Sequence, residues 1–194
     1  MRDELSGEKH IADVRNEHGL VIEFQHSHIA HQEQIARESF YGSMVWVVDG
    51  TRLKRDAPRF LKALDQLRPI NDQGFFLVPF PEECLPGAWL GSSVPVFFDF
   101  GRVVTDDSGA VGFDHLCCLL PRRVGREAVV VRVPRAQFVE VALQSAQILK
   151  GHEDFAAKVE ALLQQQRRAA ITRQQASSGQ RPHAGWRRRP FRRF

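Results

Sequence analysis

Two acidic side chains, Asp13 and Glu23, have a spacing from which they could hold a metal ion together. Residues 10–15 and 20–25 alternate between apolar and polar side chains, which predicts two strands of a hairpin closed at Gly19. In that hairpin the two acids are direct neighbours across the strands, with Cβ atoms about 5 Å apart. Two carboxylates this close favour a hard divalent cation such as Mg²⁺ between them.

The register of the hairpin follows from its hydrophobic pattern. Pairing Val14 with Ile22 collects one apolar face, which we expect to be buried, consisting of Ala12, Val14, Leu20, Ile22 and Phe24. The other face then carries Ile11, Asp13, Arg15, Val21, Glu23 and Gln25. A shift by one residue would mix the two sets and bury charge. Glu23 also stands among apolar neighbours where a strand favours an apolar residue, and such a local exception indicates function.

A second interpretation of the polar face needs no metal. In that interpretation the face is solvated and Arg15, diagonal to Glu23, neutralises the acidic pair. A zinc site is disfavoured, because His26, His28 and His31 do not converge in either a strand or a helix-cap geometry. The cysteines lack metal-ligand spacing, and Cys117 and Cys118 lie in an apolar run that predicts buried thiols.

The elements around the hairpin predict an α/β fold with a mixed sheet flanked by helices. A helix is expected over residues 31–41, and the apolar run 44–48 predicts a strand buried on both faces. A second helix is expected to begin at a capping residue, Asp56. The remaining pattern predicts strands near 75–80, 94–100, 115–120 and 128–133, and helices over 135–150 and 153–166.

Composition places the chain among soluble proteins. Its 194 residues are 43% hydrophobic, enough for one core. No apolar run reaches the roughly 18 residues that a membrane span needs, and no signal-peptide pattern opens the chain. Together with the sparse cysteines, this predicts a cytoplasmic protein in a reducing compartment.

The basic residues are distributed unevenly. The net charge is +4, yet residues 164–194 contain nine arginines and no acid, which predicts a disordered basic tail. Near the end of the chain, arginines alternate with aromatic residues, and the arginines are Arg187, Arg188, Arg189, Arg192 and Arg193. Arginines neutralise phosphates and rings stack on unpaired bases, so the tail suits single-stranded nucleic acid. An anionic membrane surface and a merely solubilising tail are the alternatives.

Several short motifs resemble the competence protein CoiA-like nuclease family. The first is Lys9-His10-Ile11-Ala12-Asp13-Val14, and the second is Ile22-Glu23-Phe24-Gln25-His26-Ser27-His28-Ile29. Glu33 and Arg37 on the following helix, Tyr41, and the strand 45–48 with Trp46 also match. The resemblance is specific over residues 9–50, about a quarter of the chain.

The family is a branch of the PD-(D/E)XK nuclease superfamily, so the resemblance implies a restriction-endonuclease-like core and Mg²⁺-dependent hydrolysis of DNA, with Mn²⁺ as a possible substitute. Asp13, Glu23 and Gln25 correspond to the catalytic residues. Asp13, Glu23 and the Phe24 carbonyl would ligate the metal, Gln25 would position the attacking water, and Arg37 would contact phosphate.

The resemblance also predicts how the chain is organised. Members of the superfamily usually have a helix before the hairpin that supplies a further carboxylate, and only nine residues precede His10 here. We therefore expect an N-terminally truncated core in residues 1–50, an α/β continuation in 51–163 and the tail in 164–194. The alternative to a nuclease is a catalytically inactive DNA-binding or recombination-accessory protein that retains the fold.

Overall fold

The computed structural model describes residues 11–71, 73–105, 109–112, 114–149 and 151–178. The helices and strands, in chain order, are β1 (Val14–Arg15), β2 (Val21–Gln25), α1 (His31–Phe40), β3 (Met44–Asp49), α2 (Asp56–Ala63), β4 (Arg68–Pro69), β5 (Phe75–Val78), α3 (Pro81–Cys84), β6 (Val96–Asp99), β7 (Arg102–Thr105), β8 (Gly109–Gly112), β9 (His115–Val124), β10 (Glu127–Pro134), α4 (Arg135–Gln144) and α5 (His152–Ser178). Short 3₁₀ helices cover Leu64–Gln66 and Gly87–Trp89.

Most of the described strands form one mixed eight-stranded sheet in the order β1-β2-β3-β6-β9-β10-β5-β4. The strands β2, β3 and β6 are parallel neighbours, and the other neighbouring pairs are antiparallel. The strands β7 and β8 form a separate two-stranded ribbon. The α/β class and the mixed sheet flanked by helices are therefore confirmed.

The centre of the sheet is built from β3. Its residues 44–48 are all buried, because β3 lies between two parallel partners and both of its faces are covered. Parallel strands need a crossover connection, and α1 provides the one between β2 and β3. The continuous apolar run thus forms a doubly buried strand, as predicted.

One face of the sheet packs against α2 and the 3₁₀ helix at 87–89. The Trp46 ring lies 5.3 Å from the Trp89 ring, and Phe60 of α2 stacks on Phe100 at 4.2 Å between ring centroids. The buried thiols of Cys84 and Cys117 belong to the same cluster. Burial raises the pKa of the Cys84 thiol to about 11, so it is inert at neutral pH.

The opposite face packs against α4 and the start of α5. Phe97 of β6 meets Phe138 of α4 edge to face at 4.8 Å, and Phe75 of β5 lies 4.2 Å from Phe155 of α5. Val159, one turn further along α5, is also buried. Helices therefore cover both faces of the sheet.

Three helix boundaries differ clearly from the predictions, and the first is the end of α4, which lies at Gln144 rather than at residue 150. Asp56 is the first residue of α2 rather than its cap, and the cap residue is Arg55. The helix α5 continues to Ser178, so the predicted disorder is wrong for residues 164–178. These residues are mostly Ala, Gln and Arg without Gly or Pro, and such residues favour helix. The tail arginines from Arg187 onward lie outside the described residues.

The chain divides into two compact units, Met1–Val159 and Glu160–Phe194. The predicted parts 1–50 and 51–163 contribute to one sheet, because β3 ends at Asp49 and pairs with β6. Within the described ranges, no helix combines the length and apolar character that crossing a membrane requires.

Gly50, at the end of β3, is the glycine whose replacement we expect to cost most stability in this region. A Cβ at residue 50 would lie 2.5 Å from the Phe100 ring, which is buried and held against Phe60. We expect Gly50→Ala to lower the free energy of unfolding by about 1–3 kcal/mol, measured by urea denaturation. The control is Gly42→Ala, whose Cβ would meet no atom within 4 Å; an equal loss in both variants would contradict the prediction.

Candidate functional site

The hairpin at the edge of the sheet has the predicted register. Val14 pairs with Ile22, and Gly19 closes the loop with a φ of 90°. The side-chain oxygen of Asn16 accepts the backbone N–H of Leu20 at 2.8 Å, which fixes the loop from within. The hydrophobic pattern therefore selected the correct pairing.

The ladder stops at Val14, although the strand was predicted over residues 10–15, and this changes the position of Asp13. Asp13 lies in a bend before β1, and its Oδ2 accepts the backbone N–H of Phe24 at 2.8 Å. The side chain thus replaces the backbone acceptor that a longer β1 would have supplied, so the predicted cross-strand pair of Asp13 and Glu23 is not formed as a ladder pair. The N–H and C=O of one strand residue point to the same side. The Phe24 carbonyl therefore faces the edge where Asp13 lies.

The predicted burial of the two hairpin faces is partly wrong. Leu20 and Ile22 are buried as expected, whereas Val14 and Phe24 are 43% and 42% exposed. Glu23, predicted on a polar face, is only 1% exposed. The reason is tertiary, because α1 lies over the Glu23 face.

Glu23 is neutralised by Arg37 from α1. The guanidinium Nη1 donates to Glu23 Oε2 at 2.6 Å, and Nε donates to Glu33 Oε1 at 2.7 Å. Glu33 and Arg37 form an ordinary i, i+4 helix ion pair, whereas the bridge from Arg37 to Glu23 was not predicted. Burial tends to lower the pKa of Arg37, but the two carboxylates outweigh it and raise that pKa. The arginine therefore carries a full charge between two acids.

Tyr41, which follows α1, lies among the same charges. Burial is the main cause that raises the pKa of its hydroxyl, and the negative charges of Glu23 and Asp13 raise it further. The positive charges of Arg37 and Arg15 act in the opposite direction. The tyrosine hydroxyl thus lies within the electrostatic reach of both acids and both arginines.

Gln25 shares the strand face of Glu23, two residues further along β2. Its Nε2 donates to the carbonyl oxygen of Ser27 at 2.8 Å and to the Ser27 hydroxyl at 3.2 Å. His26, His28 and His31 are all exposed, and His26 Nδ1 lies 3.8 Å from Asp49 Oδ2.

Glu38 is the buried acid that the sequence analysis missed. Its carboxylate accepts hydrogen bonds from the Gln34 amide, the Trp46 indole, the Ser92 hydroxyl, and the Ser93 N–H and hydroxyl, at 2.7–3.0 Å. Burial raises the pKa of Glu38, but these donors outweigh it and hold the pKa below its usual value. The sequence feature from which this buried carboxylate could have been predicted is the i, i+4 pair of Gln34 and Glu38, on a helix next to an apolar strand.

A concave feature lies at the carboxyl ends of β2, β3 and β6. The residues that line this cavity of about 460 Å³ include apolar Phe24 and Val47 and acidic Asp49 and Asp99. Asp99 pairs with Arg135 at the start of α4. The carboxyl ends of parallel strands are a common location for ligands in open α/β sheets. Phe24 connects this cavity to the Asp13 edge.

The donor chemistry around β2 suits Mg²⁺, since the Asp13 and Glu23 carboxylates and the Phe24 carbonyl are hard oxygen ligands. Arg37 is the cation that faces Glu23 in this structure. In the part of the chain that the structure describes, no group of three or more His, Cys, Asp or Glu side chains is arranged to hold a metal ion.

Comparisons with protein-family models, curated proteins and solved structures found no match to this chain. The resemblance of residues 9–50 to the CoiA-like family therefore stays a prediction that depends on those motifs alone. What the structure itself defines is an α/β protein with charged residues buried beneath its first crossover helix.

Glu38→Gln tests whether the buried carboxylate stabilises the fold through its charge. We expect the free energy of unfolding at pH 7 to fall by about 2–4 kcal/mol. The reason is that hydrogen bonds to a charged acceptor are lost and the new amide NH₂ group faces the donors that had bound the carboxylate. The folded-state pKa is lowered, so the stabilisation is present above the unfolded pKa of about 4.3 and is lost as the pH falls through the folded pKa.

The measurement is urea unfolding of both proteins between neutral pH and pH 3. The difference between wild type and Glu38→Gln should shrink as the pH falls below about 4.3. The exposed Glu140→Gln on α4 is the control and should change stability by less than about 0.5 kcal/mol. A difference that is independent of pH would show that the charge of Glu38 is not involved.

Proposed function

We propose that this protein is a Mg²⁺-dependent nuclease-like protein that hydrolyses phosphodiester bonds in DNA. The observation that carries the proposal is the position of two acids beside Phe24. Asp13 is anchored on the Phe24 N–H, and Glu23 is buried on the adjacent face under Arg37. Buried charge beneath a crossover helix is unfavourable for stability alone and is typical of functional sites.

The residues present define how such a site would work. Asp13, Glu23 and the Phe24 carbonyl would hold the metal, with Mn²⁺ as a substitute. Mg²⁺, when bound, supplies Lewis-acid polarisation of the phosphodiester and a more acidic water. Gln25 brings an amide without charge, so it would orient the attacking water rather than activate it. Arg37 presents a planar guanidinium that suits phosphate oxygens.

A catalytically inactive DNA-binding or recombination-accessory protein is the second candidate. The ion pair between Arg37 and Glu23 favours it, because an acid held by arginine at 2.6 Å is already neutralised. In that case the acids maintain the hairpin and the helix, and nucleic acid binds without being cleaved.

The basic tail supplies the expected contact with DNA in both candidates. Trp186 directly precedes the tail's five clustered arginines and Phe191 lies among them; the arginines are Arg187, Arg188, Arg189, Arg192 and Arg193. Charge neutralisation and stacking together would bind single-stranded DNA with little sequence preference.

Cleavage of labelled single- and double-stranded DNA in Mg²⁺ or Mn²⁺ tests the proposal. We expect cleavage that chelator abolishes and that Asp13→Asn and Glu23→Gln each reduce by about a hundredfold or more, because each removes a charge that the metal needs. The exposed Asp65→Asn is the control and should retain wild-type activity.

Unfolding curves of all variants are recorded alongside, so that loss of activity is not confused with loss of structure. Undiminished cleavage in Asp13→Asn and Glu23→Gln would contradict the proposed site. Salt-sensitive DNA binding by the wild type without any metal-dependent cleavage would favour the inactive DNA-binding candidate.

The tail is tested by replacing its five clustered arginines with glutamine. Single-stranded DNA binding should weaken, and the slope of log affinity against log salt should become shallower by up to about 3.5, since each of the five phosphate contacts contributes about 0.7. Trp186→Ala with Phe191→Ala should instead lower affinity and leave the slope unchanged, because stacking releases no counterions. Fluorescence anisotropy at several salt concentrations measures both effects, and an unchanged slope in the glutamine variant would exclude the tail as the contact.

A further inference from the structure

Arg37 contacts two carboxylates, so it keeps one partner if its contact with Glu23 is broken. One nitrogen of the guanidinium contacts buried Glu23 at 2.6 Å, and another contacts half-exposed Glu33 at 2.7 Å. The arginine itself is 28% exposed, so solvent reaches it where it does not reach Glu23. It can therefore leave one carboxylate while it remains bound to the other.

The buried Glu23 carboxylate needs a positive partner at all times. A charged acid that is removed from water and left without compensation strongly destabilises a fold. A divalent cation at Glu23 would provide that compensation, but it would repel a guanidinium bound at the same oxygen. Arg37 and a metal ion are thus alternative partners of one carboxylate.

A phosphodiester offers Arg37 the second partner that this exchange requires. Guanidinium binds phosphate oxygens through two parallel hydrogen bonds, which is stronger than a contact to one carboxylate oxygen. A phosphate that approaches the Asp13 edge together with a cation would neutralise the arginine at the moment when Glu23 receives the metal.

We propose that Arg37 is a displaceable counter-ion of Glu23. Arg37 leaves Glu23 and binds the substrate phosphate when Glu23 binds the divalent cation. This inference rests on the proposed nuclease function and specifies how its site is loaded. The metal and the phosphodiester then bind cooperatively, and by linkage each raises the affinity of the other by the same factor. In the absence of DNA the ion pair keeps the metal affinity low.

The test measures Mn²⁺ binding to the full chain by electron paramagnetic resonance of the free ion. We expect Arg37→Gln to bind Mn²⁺ at least tenfold more tightly than the wild type, because Glu23 is released from its competitor. Arg123→Gln is the matched control, since it removes the same charge and releases Glu82 from a surface ion pair. It should leave Mn²⁺ affinity unchanged.

Dimethyl phosphate, a stable phosphodiester monoanion, tests the coupling. At saturation it should raise the Mn²⁺ affinity of the wild type at least threefold and that of Arg37→Gln not at all. Arg37→Lys keeps the counter-charge but cannot hold two oxygens in one plane, so we expect wild-type Mn²⁺ affinity with the phosphate effect lost.

Thermal unfolding provides a readout that does not depend on activity and covers a variant that folds poorly. Arg37→Gln should unfold at a lower temperature than the wild type without metal, and Mn²⁺ should raise its midpoint by more than it raises that of the wild type.

Equal or weaker Mn²⁺ binding in Arg37→Gln, or the same gain in Arg123→Gln, would overturn the inference. If the wild type nevertheless cleaves DNA with metal, the proposed function stands and only the exchange is wrong. If neither the wild type nor Arg37→Gln binds Mn²⁺ and no cleavage occurs, the inference and the proposed function both fail.

Discussion

The hydrogen bonds to Glu38 hold together the part of the molecule on which the candidate site depends. The carboxylate takes donors from its own helix, from Trp46 in β3 and from the Ser92–Ser93 turn before β6. A buried acid is tolerated only when such donors satisfy it, so any shift of α1 would leave unfavourable groups behind. The same helix carries Arg37, and its fixed position places the guanidinium over Glu23. The hydrogen bonds of buried charged groups thus explain both the position of the crossover helix and the geometry of the site.

An apolar crossover helix is the alternative that packing alone would allow in this place. Replacing buried ion pairs with well-packed apolar residues is often neutral or stabilising, so charged groups that persist between a helix and a sheet indicate a requirement other than stability. Glu23, Arg37 and Glu33 form a chain of charges that leads from the interior of the sheet to solvent. In a nuclease, the metal would bind at the buried end of this series of charges and the phosphate toward its exposed end. In an inactive DNA-binding protein, only the exposed end would bind nucleic acid.

The sequence predicted much of the scaffold because the signals were local. The apolar run of β3 and the alternation around Gly19 fixed the strand and the register of Val14 with Ile22. It also predicted that Cys117 and Cys118 are buried. The length of β1, the exposure of Phe24 and the continuation of α5 to Ser178 were not predicted. Each depends on which element covers or caps a residue, and a pattern along one strand or helix does not contain that information.

The candidate site likewise has features that the sequence predicted and features that it did not. The sequence by itself determined the residue types and spacing, from which, with the motifs that carry the resemblance, Asp13, Glu23, Gln25 and Arg37 are predicted as site residues. Only the tertiary structure decided their partners. It turned Asp13 onto the backbone of Phe24, brought Arg37 onto Glu23 from a helix fourteen residues away in sequence, and enclosed Glu38 with donors from three segments. The physical reason is that a buried charge is stabilised by whatever the fold brings to it, and those donors come from parts of the chain that are distant in sequence.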